Sequence, residues 1–600
     1  MRTLGSSVYA AAMALLALTP VTAAAQPVTM LPQWSDQARN TFYTTSQGSH
    51  MIPLAWFKAL KRLDKDEPFG ADQLVRYGYI ANNPPNADRL PIGFVVDRRP
   101  IVTQPQLGMT CAACHTNQLE YVKDGQTRII RLDGAPTLAD FQQFLTDLTA
   151  AAGATLNDDN RFRDFARAVL GQNAPSAKVT QLNNDFRAWV AQFRDFMDRS
   201  LPDPPWGPGR LDAFGMIFNR VTGKDLGIPD NFRKADAPVS YPFLWNASRQ
   251  DKTQWNGGVP NGLFIHALGR NTGEVFGVFA DFKPKVADIQ IPFLPKLIDY
   301  TDNSADFAGL QTLEEQIVQL KPPKWPRDIF PVDDARAARG ETLFRQHCDA
   351  CHEKKDSPTL GKRGFDTPVV AVGSDEKMVR NSRRVVDPGL LIDSPLPPPA
   401  PLPPLGPGFE DQAAATDVLA ATVVGSLVDA AFPKKFIPPS QLPQFLQSGV
   451  WRAIQKDFEL SGGLLSVALN PGASSQIEAQ VKNLLKDIFK PPARADAPAA
   501  YESRVLEGIW ATAPYLHNGS VPNLWELLKK PQDRVKTFKV GSRKFDSKNV
   551  GYATDESPYA SGTFTVDPAN ANGNGNGGHV YGTDLSEDDR WAIVEYLKTL

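Results

Sequence analysis

Cysteine is scarce in this 600-residue chain, at four residues, and histidine and methionine are nearly so, at seven and eight. Charge of one sign is lacking as well. The 64 Lys and Arg almost balance the 66 Asp and Glu, leaving a formal net charge of −2. That balance excludes a nucleic-acid partner and carries no membrane-surface signal. No apolar run reaches the ~20 residues that a spanning helix needs, so no membrane span is expected. Proline is abundant at 51 residues, which fits long surface connections between helices. The apolar fraction of 42% is enough for sizeable cores, and the length suggests about two to four domains.

All four cysteines fall inside two copies of one motif, Cys111-Ala112-Ala113-Cys114-His115 and Cys348-Asp349-Ala350-Cys351-His352. C-x-x-C-H is the attachment site of a c-type haem: two thiols add to the vinyl groups, and the His supplies the proximal nitrogen. Cys111, Cys114, His115, Cys348, Cys351 and His352 are therefore expected to hold two covalent haem c groups. A thiol redox switch would need a βαβ setting that neither site shows. A structural zinc site would bring the pairs much closer than opposite halves of the chain. Neither alternative explains a His after both pairs.

The compartment agrees. Met1-Arg2, an apolar run from about Val8 to Leu18 and Ala23-Ala24-Ala25 read as a signal peptide cleaved near Ala25. The expected location is periplasmic or secreted, where bacterial c-type haem is attached.

Along the chain, residues 1–25 read as the leader and 26–105 as an N-terminal extension too aromatic to be a disordered tail. Residues 106–325 read as an N-terminal haem domain, and 326–600 as a C-terminal, cytochrome-c-like one with a proline-rich insertion at 394–408. The expected fold is mainly α with extensive ordered loops, two cytochrome-c-like haem domains plus the extension. Apolar periodicity predicts helices over 137–152, 160–170, 178–201, 333–347, 411–431, 443–458 and 474–489. Ser586 and Asp589 form a capping box ahead of a last helix. Gly340, Leu343 and Phe344 before Cys348 resemble the first helix of a small cytochrome c.

The stretch Ala513-Pro514-Tyr515-Leu516-His517-Asn518-Gly519-Ser520 with Leu524 is similar to the A-P-Y-x-H-x-G-S-x-x-x-L signature of bacterial dihaem cytochrome c peroxidases. Their superfamily includes MauG and the rubber oxygenases. The resemblance implies that His517 lies beside the C-terminal haem, near its propionates, and is not an axial ligand. The chain departs from the peroxidases where they carry a Met ligand: it reads Leu527-Leu528-Lys529-Lys530-Pro531, and no Met follows Met378. His579, in Gly578-His579-Val580-Tyr581-Gly582-Thr583, resembles the long, rubber-oxygenase-like branch, whose C-terminal haem has two His ligands. His579 is thus the candidate sixth ligand, with Met378 behind it. For the first haem the distal side is unassigned, His50 and His266 both being possible, and the resemblance makes this haem the reactive one.

The leading expectation is a peroxidase-like dihaem oxidoreductase that reduces hydrogen peroxide. Electrons would come from a small carrier such as a cytochrome c or cupredoxin, and Trp245 and Trp255 are candidate relays between haems. The first alternative is a dioxygenase cleaving C=C bonds of polyisoprene, with dioxygen in place of peroxide. The second is a non-catalytic electron carrier, which would need two six-coordinate haems.

Overall fold

The computed structural model describes residues 27–262, 264–288, 296–358, 360–394, 408–431, 497–567, 569 and 572–600. The leader, residues 395–407 of the proline-rich insertion and the expected helices at 443–458 and 474–489 lie outside the described residues.

The periodic segments fold as helices for the reasons their sequences suggest. Phe141–Asn157 starts at Asp140, whose side chain accepts from Gln143 N, and buries Phe144, Leu145 and Leu148. Asp158 caps Asp159–Leu170 by accepting from Asn160 N and Arg161 N. The long helix Ser176–Ser200 buries Leu182, Phe186, Val190, Phe193 and Phe196 along one face. Phe186 stacks on Phe165 at 4.4 Å. Asp334–His347 leads into the second motif. Glu587–Leu597 begins at Ser586, whose hydroxyl accepts from Asp589 N at 3.2 Å. These last two helices cross where Gly340 meets Ala592: a Cβ at position 340 would overlap the Ala592 carbonyl.

The expectation of a mainly α chain built as two cytochrome-c-like haem domains plus an extension does not hold. Among the described residues 38% are helical and 16% lie in strands and bridges. The strands form many small sheets of two or three strands. The largest pairing is the hairpin Thr116–Lys123 with Gln126–Asp133, to which Val28–Met30 adds in parallel. Its turn is Asp124-Gly125, with φ of 55° and 71°. An Asp-Gly pair between alternating segments is a strong hairpin signal, and reading for helical periodicity passes over it. Nor does the main core divide at the motifs. One apolar cluster takes Leu31, Trp34 and Leu119 from the first part of the chain and Phe344, Trp510 and Leu597 from the last.

A buried polar knot holds the segment behind the first motif. Arg39 Nε donates to Asp133 Oδ2 at 2.7 Å and Tyr43 OH to Asp133 Oδ1 at 2.5 Å. Gly134 N then donates to His115 O at 2.9 Å, and Leu244 N to Gly134 O at 2.9 Å. The position of the first motif is thus tied both to the hairpin and to residues 240–245.

His50, one of the two residues considered for the distal side of the first haem, serves another contact. Its Nδ1 lies 2.7 Å from Asp281 Oδ2 and its Nε2 2.9 Å from Asp97 Oδ2. Burial alone would lower the imidazole's affinity for protons, but the bonds to Asp281 and Asp97 outweigh it and raise it. Burial would raise Asp97, but His50 and Arg99 hold it well below the carboxylate range. Because the folded value of His50 is raised, its contribution to stability is complete below the unfolded value of about 6.5 and is lost as pH rises through the folded value. The carboxylates contribute above about pH 4 and lose their part as pH falls. His50→Ala should cost about 3 kcal/mol, since it leaves Asp97 buried with one partner fewer. It should also flatten the decline in melting temperature on the alkaline side of neutrality. An unchanged pH profile in thermal melts of the variant would show that the ring carries no charge in the fold.

Candidate functional site

The two motifs sit in different local structures. Gln106–Met109 is a strand leading into the first; Cys111–Ala113 is a single 3-10 turn; Thr116–Lys123 is a strand leading out. Thr110 N donates to Gly93 O at 2.8 Å, and Gly93, with φ +81°, lies so close to Ala113 that a side chain there would strike its backbone. The second motif follows a helix and is itself a helical turn, Asp349–His352. In both, the His N–H closes back on the first Cys carbonyl, at 2.9 Å for His115 and 3.0 Å for His352.

The thiols are unpaired and half-buried. Burial, followed by the Glu274 carboxylate, pushes Cys111 far up and Cys114 to about 12; burial and then Asp349 push Cys348 to about 12. Such thiols stay protonated near neutrality, opposite to what thiol exchange or a zinc thiolate requires. No group of three or more His, Cys, Asp or Glu placed to hold a metal ion occurs among the described residues. The donor set instead suits haem c: at each motif two thiols stand beside one imidazole.

Around His352 the geometry is orderly. Its Nδ1 lies 3.2 Å from the Arg504 carbonyl and 3.2 Å from Ser503 Oγ, which leaves Nε2 as the nitrogen for a metal. Ser503 Oγ donates to Cys351 O at 2.8 Å. The His579 ring faces His352 with 6.3 Å between centroids. Two imidazoles that share one metal, each at a bond of about 2 Å, have centroids roughly 6 Å apart. His579 Nδ1 has no hydrogen-bond partner among the described residues. Burial, then the neighbouring His352, lowers the ring to about 3, so it is neutral and able to donate a lone pair.

His517 is buried and stacks on Tyr501 with centroids 3.8 Å apart. Neither ring nitrogen has a partner among the described residues, and burial lowers the ring to about 3. Two orphaned nitrogens in the interior are costly unless a further group meets them, as a haem carboxylate would. Met378 packs with Ala237, Val239 and Tyr501 in a small apolar cluster.

His115 is edge-on to Tyr241 at 6.1 Å. Burial lowers it to about 4, against the Pro242 carbonyl, which favours its protonated form. Charges that act on this motif come from Glu274 and Arg270 of the helix Phe264–Gly277, which also carries His266, and from Glu314 and Arg504 outside it. Glu274 Oε1 accepts from Gln254 Nε2 at 3.1 Å. Arg270 bonds Glu314 Oε2 at 3.0 Å and Asn261 Oδ1 at 2.8 Å. Burial raises the Glu274 carboxyl, while Arg270 and Gln254 oppose it.

A short path joins the motifs. Tyr241 and Pro242 contact His115, and the next residue, Phe243, offers its carbonyl to Arg504 Nη2 at 2.9 Å. The Arg504 guanidinium lies 4.1 Å above the Phe243 ring, and its own carbonyl receives His352. Trp245 stacks on Phe243 at 4.8 Å and donates to Glu507 O at 2.7 Å. Trp255 donates to Ser240 O at 2.7 Å and lies 5.8 Å from the Arg504 guanidinium. Both tryptophans thus flank the path. Sequence reading missed Arg504, Glu274 and Gln254. Arg504 stands close before the His517 signature, which is a signal; the others are isolated residues with none.

The segment that carries Tyr501, Arg504, His517 and Arg534 is the one that comparison recognises. Residues 500–539 match the family described as RoxA-like, cytochrome c-like. That match links the chain to the RoxA-like cytochromes c through this segment, and a cytochrome c-like domain implies haem c and a haem-dependent oxidoreductase. The chain is also similar to the uncharacterized protein y4iJ of Sinorhizobium fredii, 29% identical over 624 residues that span 96% of this chain and 93% of that protein. A second protein of that organism, the uncharacterized y4iM, is 39% identical over 364 residues, 60% of each chain. No helix among the described residues is long and apolar enough to cross a membrane.

If each motif holds one haem, replacing Cys111 and Cys114 together by Ala should halve the haem per chain. Pyridine-haemochrome absorbance and intact mass would both read this, and a full complement in the variant would rule the first motif out.

Proposed function

We propose that the chain is a dihaem c-type oxidoreductase that reduces hydrogen peroxide, with unequal sites. The observation that carries this reading is the pairing of His352 and His579 at 6.3 Å, against a first motif whose thiols feel the charge of the Glu274 carboxylate. Cys348, Cys351, His352 and His579 would hold the relay haem, and Cys111, Cys114 and His115 the reactive one. When bound, haem c supplies one-electron transfer where both axial positions are filled and peroxide chemistry where one is open.

The chain's own residues account for the rest of the work. Reduction of one peroxide to two waters takes up two electrons and two protons. Electrons would come one at a time from a small c-type cytochrome or cupredoxin, and pass from the second site to the first along Arg504, Phe243 and Tyr241, with Trp245 and Trp255 beside them. Glu274 is the group that can hand protons to the oxygens. Burial keeps its carboxyl proton-bearing toward higher pH than an exposed one, and Gln254 orients one oxygen. The leader sequence would place this reaction in the periplasm, where peroxide and small carriers meet.

The RoxA-like match and the resemblance to the rubber-oxygenase branch support a second reading, cleavage of polyisoprene by dioxygen. That chemistry needs few polar groups at the first iron, and the Glu274, Gln254, Arg270 and Glu314 cluster favours peroxide. The experiment is turnover of peroxide by the haem-loaded protein with a reduced cytochrome c, alongside incubation with polyisoprene latex. Glu274→Gln should lower peroxide turnover by about 10²–10⁴-fold, while both haem spectra stay as in the wild type. Aldehyde and ketone products from latex without peroxide turnover would establish the second reading instead.

A further inference from the structure

Arg534 is 2% exposed, and its guanidinium donates only to backbone carbonyls. Nε reaches Lys529 O at 3.1 Å and Nη2 reaches Leu527 O at 3.1 Å. From the other side, Nη1 reaches Asn576 O at 2.6 Å and Nη2 reaches His579 O at 3.1 Å. Four donors of one planar fork thus join two segments far apart in sequence. The nearby carboxylate of Glu526 is engaged elsewhere, with Lys529 Nζ at 2.6 Å and Val535 N at 3.0 Å. A buried cation set among carbonyls, with no carboxylate bonded to it, is expensive as an ion and useful as a shape.

The segment that it grips needs gripping. It runs through Asn572-Gly573-Asn574-Gly575-Asn576-Gly577-Gly578, whose glycines resist ordering. His579 has φ +47°, a left-handed conformation that a non-glycine residue keeps only when its surroundings impose it. They impose it from both sides of the peptide: His579 N donates to Val372 O at 2.9 Å, and His579 O receives Arg534.

We infer that Arg534 is the positioning residue of the second site: by clamping the carbonyls of Asn576 and His579, it presents the His579 ring to the metal held by His352. The inference rests on the reading of His579 as a ligand. In this role Arg534 acts through the backbone carbonyls that it bonds.

The test uses the haem-loaded full chain, with absorption and EPR spectra of His579→Ala, Arg534→Gln and Arg534→Lys. His579→Ala should convert the second haem from low-spin to high-spin. Arg534→Gln should convert part of that signal, speed imidazole binding at the second haem by about 10-fold or more, and recover the low-spin spectrum when imidazole is added. Arg534→Lys, which keeps the charge but cannot span both segments, should lie between Gln and wild type. If His579→Ala leaves the second haem low-spin, the ligand reading falls and the inference with it. If His579→Ala converts the haem but Arg534→Gln matches the wild type in spectrum and binding rate, the inference alone is overturned. Should Arg534→Gln fail to fold, Arg534→Lys decides: a wild-type spectrum and rate, or loss of both haem signals together, overturns the inference.

Discussion

The contact on which both motifs depend is made by one buried residue. Arg504 holds the Phe243 carbonyl and Gln250 Oε1 with its guanidinium, at 2.9 and 2.6 Å, and receives His352 Nδ1 on its own carbonyl. A cation in the interior loses its hydration and must be met by oriented acceptors. Here Gln250 takes a central place, because its other end donates to Glu502 Oε1 at 2.7 Å. Burial still lowers the Arg504 guanidinium, with Arg270 adding to the effect and Glu502 opposing it. The electrostatic strain is thus shared by residues of both sites. Residues 240–245, which carry Tyr241 against His115, are held by this anchor together with the bond from Leu244 N to Gly134 O.

Around that anchor the sites diverge for a structural reason. The second motif ends a regular helix, and its turn is backed by the crossing of Glu587–Leu597 at Gly340. Its imidazole is oriented by the Arg504 carbonyl and Ser503 hydroxyl, and the His579 ring lies 6.3 Å away. The first motif lies between strands, with Ala112 and Ala113 buried in two apolar clusters and Tyr241 edge-on to His115. The same motif is thus set into two different local structures by what packs against it.

Helices with strong periodicity and caps, such as Ser176–Ser200 and Glu587–Leu597, were legible because each is specified by residues a few positions apart. The hairpin at Asp124-Gly125 was legible in principle, and the reading for helix patterns passed over it. The shared core was not legible: Leu31 and Leu597 meet in one cluster although nothing in either local pattern names the other. His50 shows the same limit. Its sequence neighbourhood left it open as an axial ligand, whereas the fold sets it between Asp97 and Asp281.

The sequence by itself pointed to haem c attachment, because two thiols and an imidazole within five residues share one turn in either setting. It also marked His517 and His579 as unusual through their local motifs. Only the tertiary structure decided which groups stand opposite one another: His579 against His352, Tyr241 against His115, and Arg504 between the motifs. Those separations are set by packing between segments remote along the chain. A local pattern can specify a residue's own turn, but not the distance to a side chain that another segment delivers.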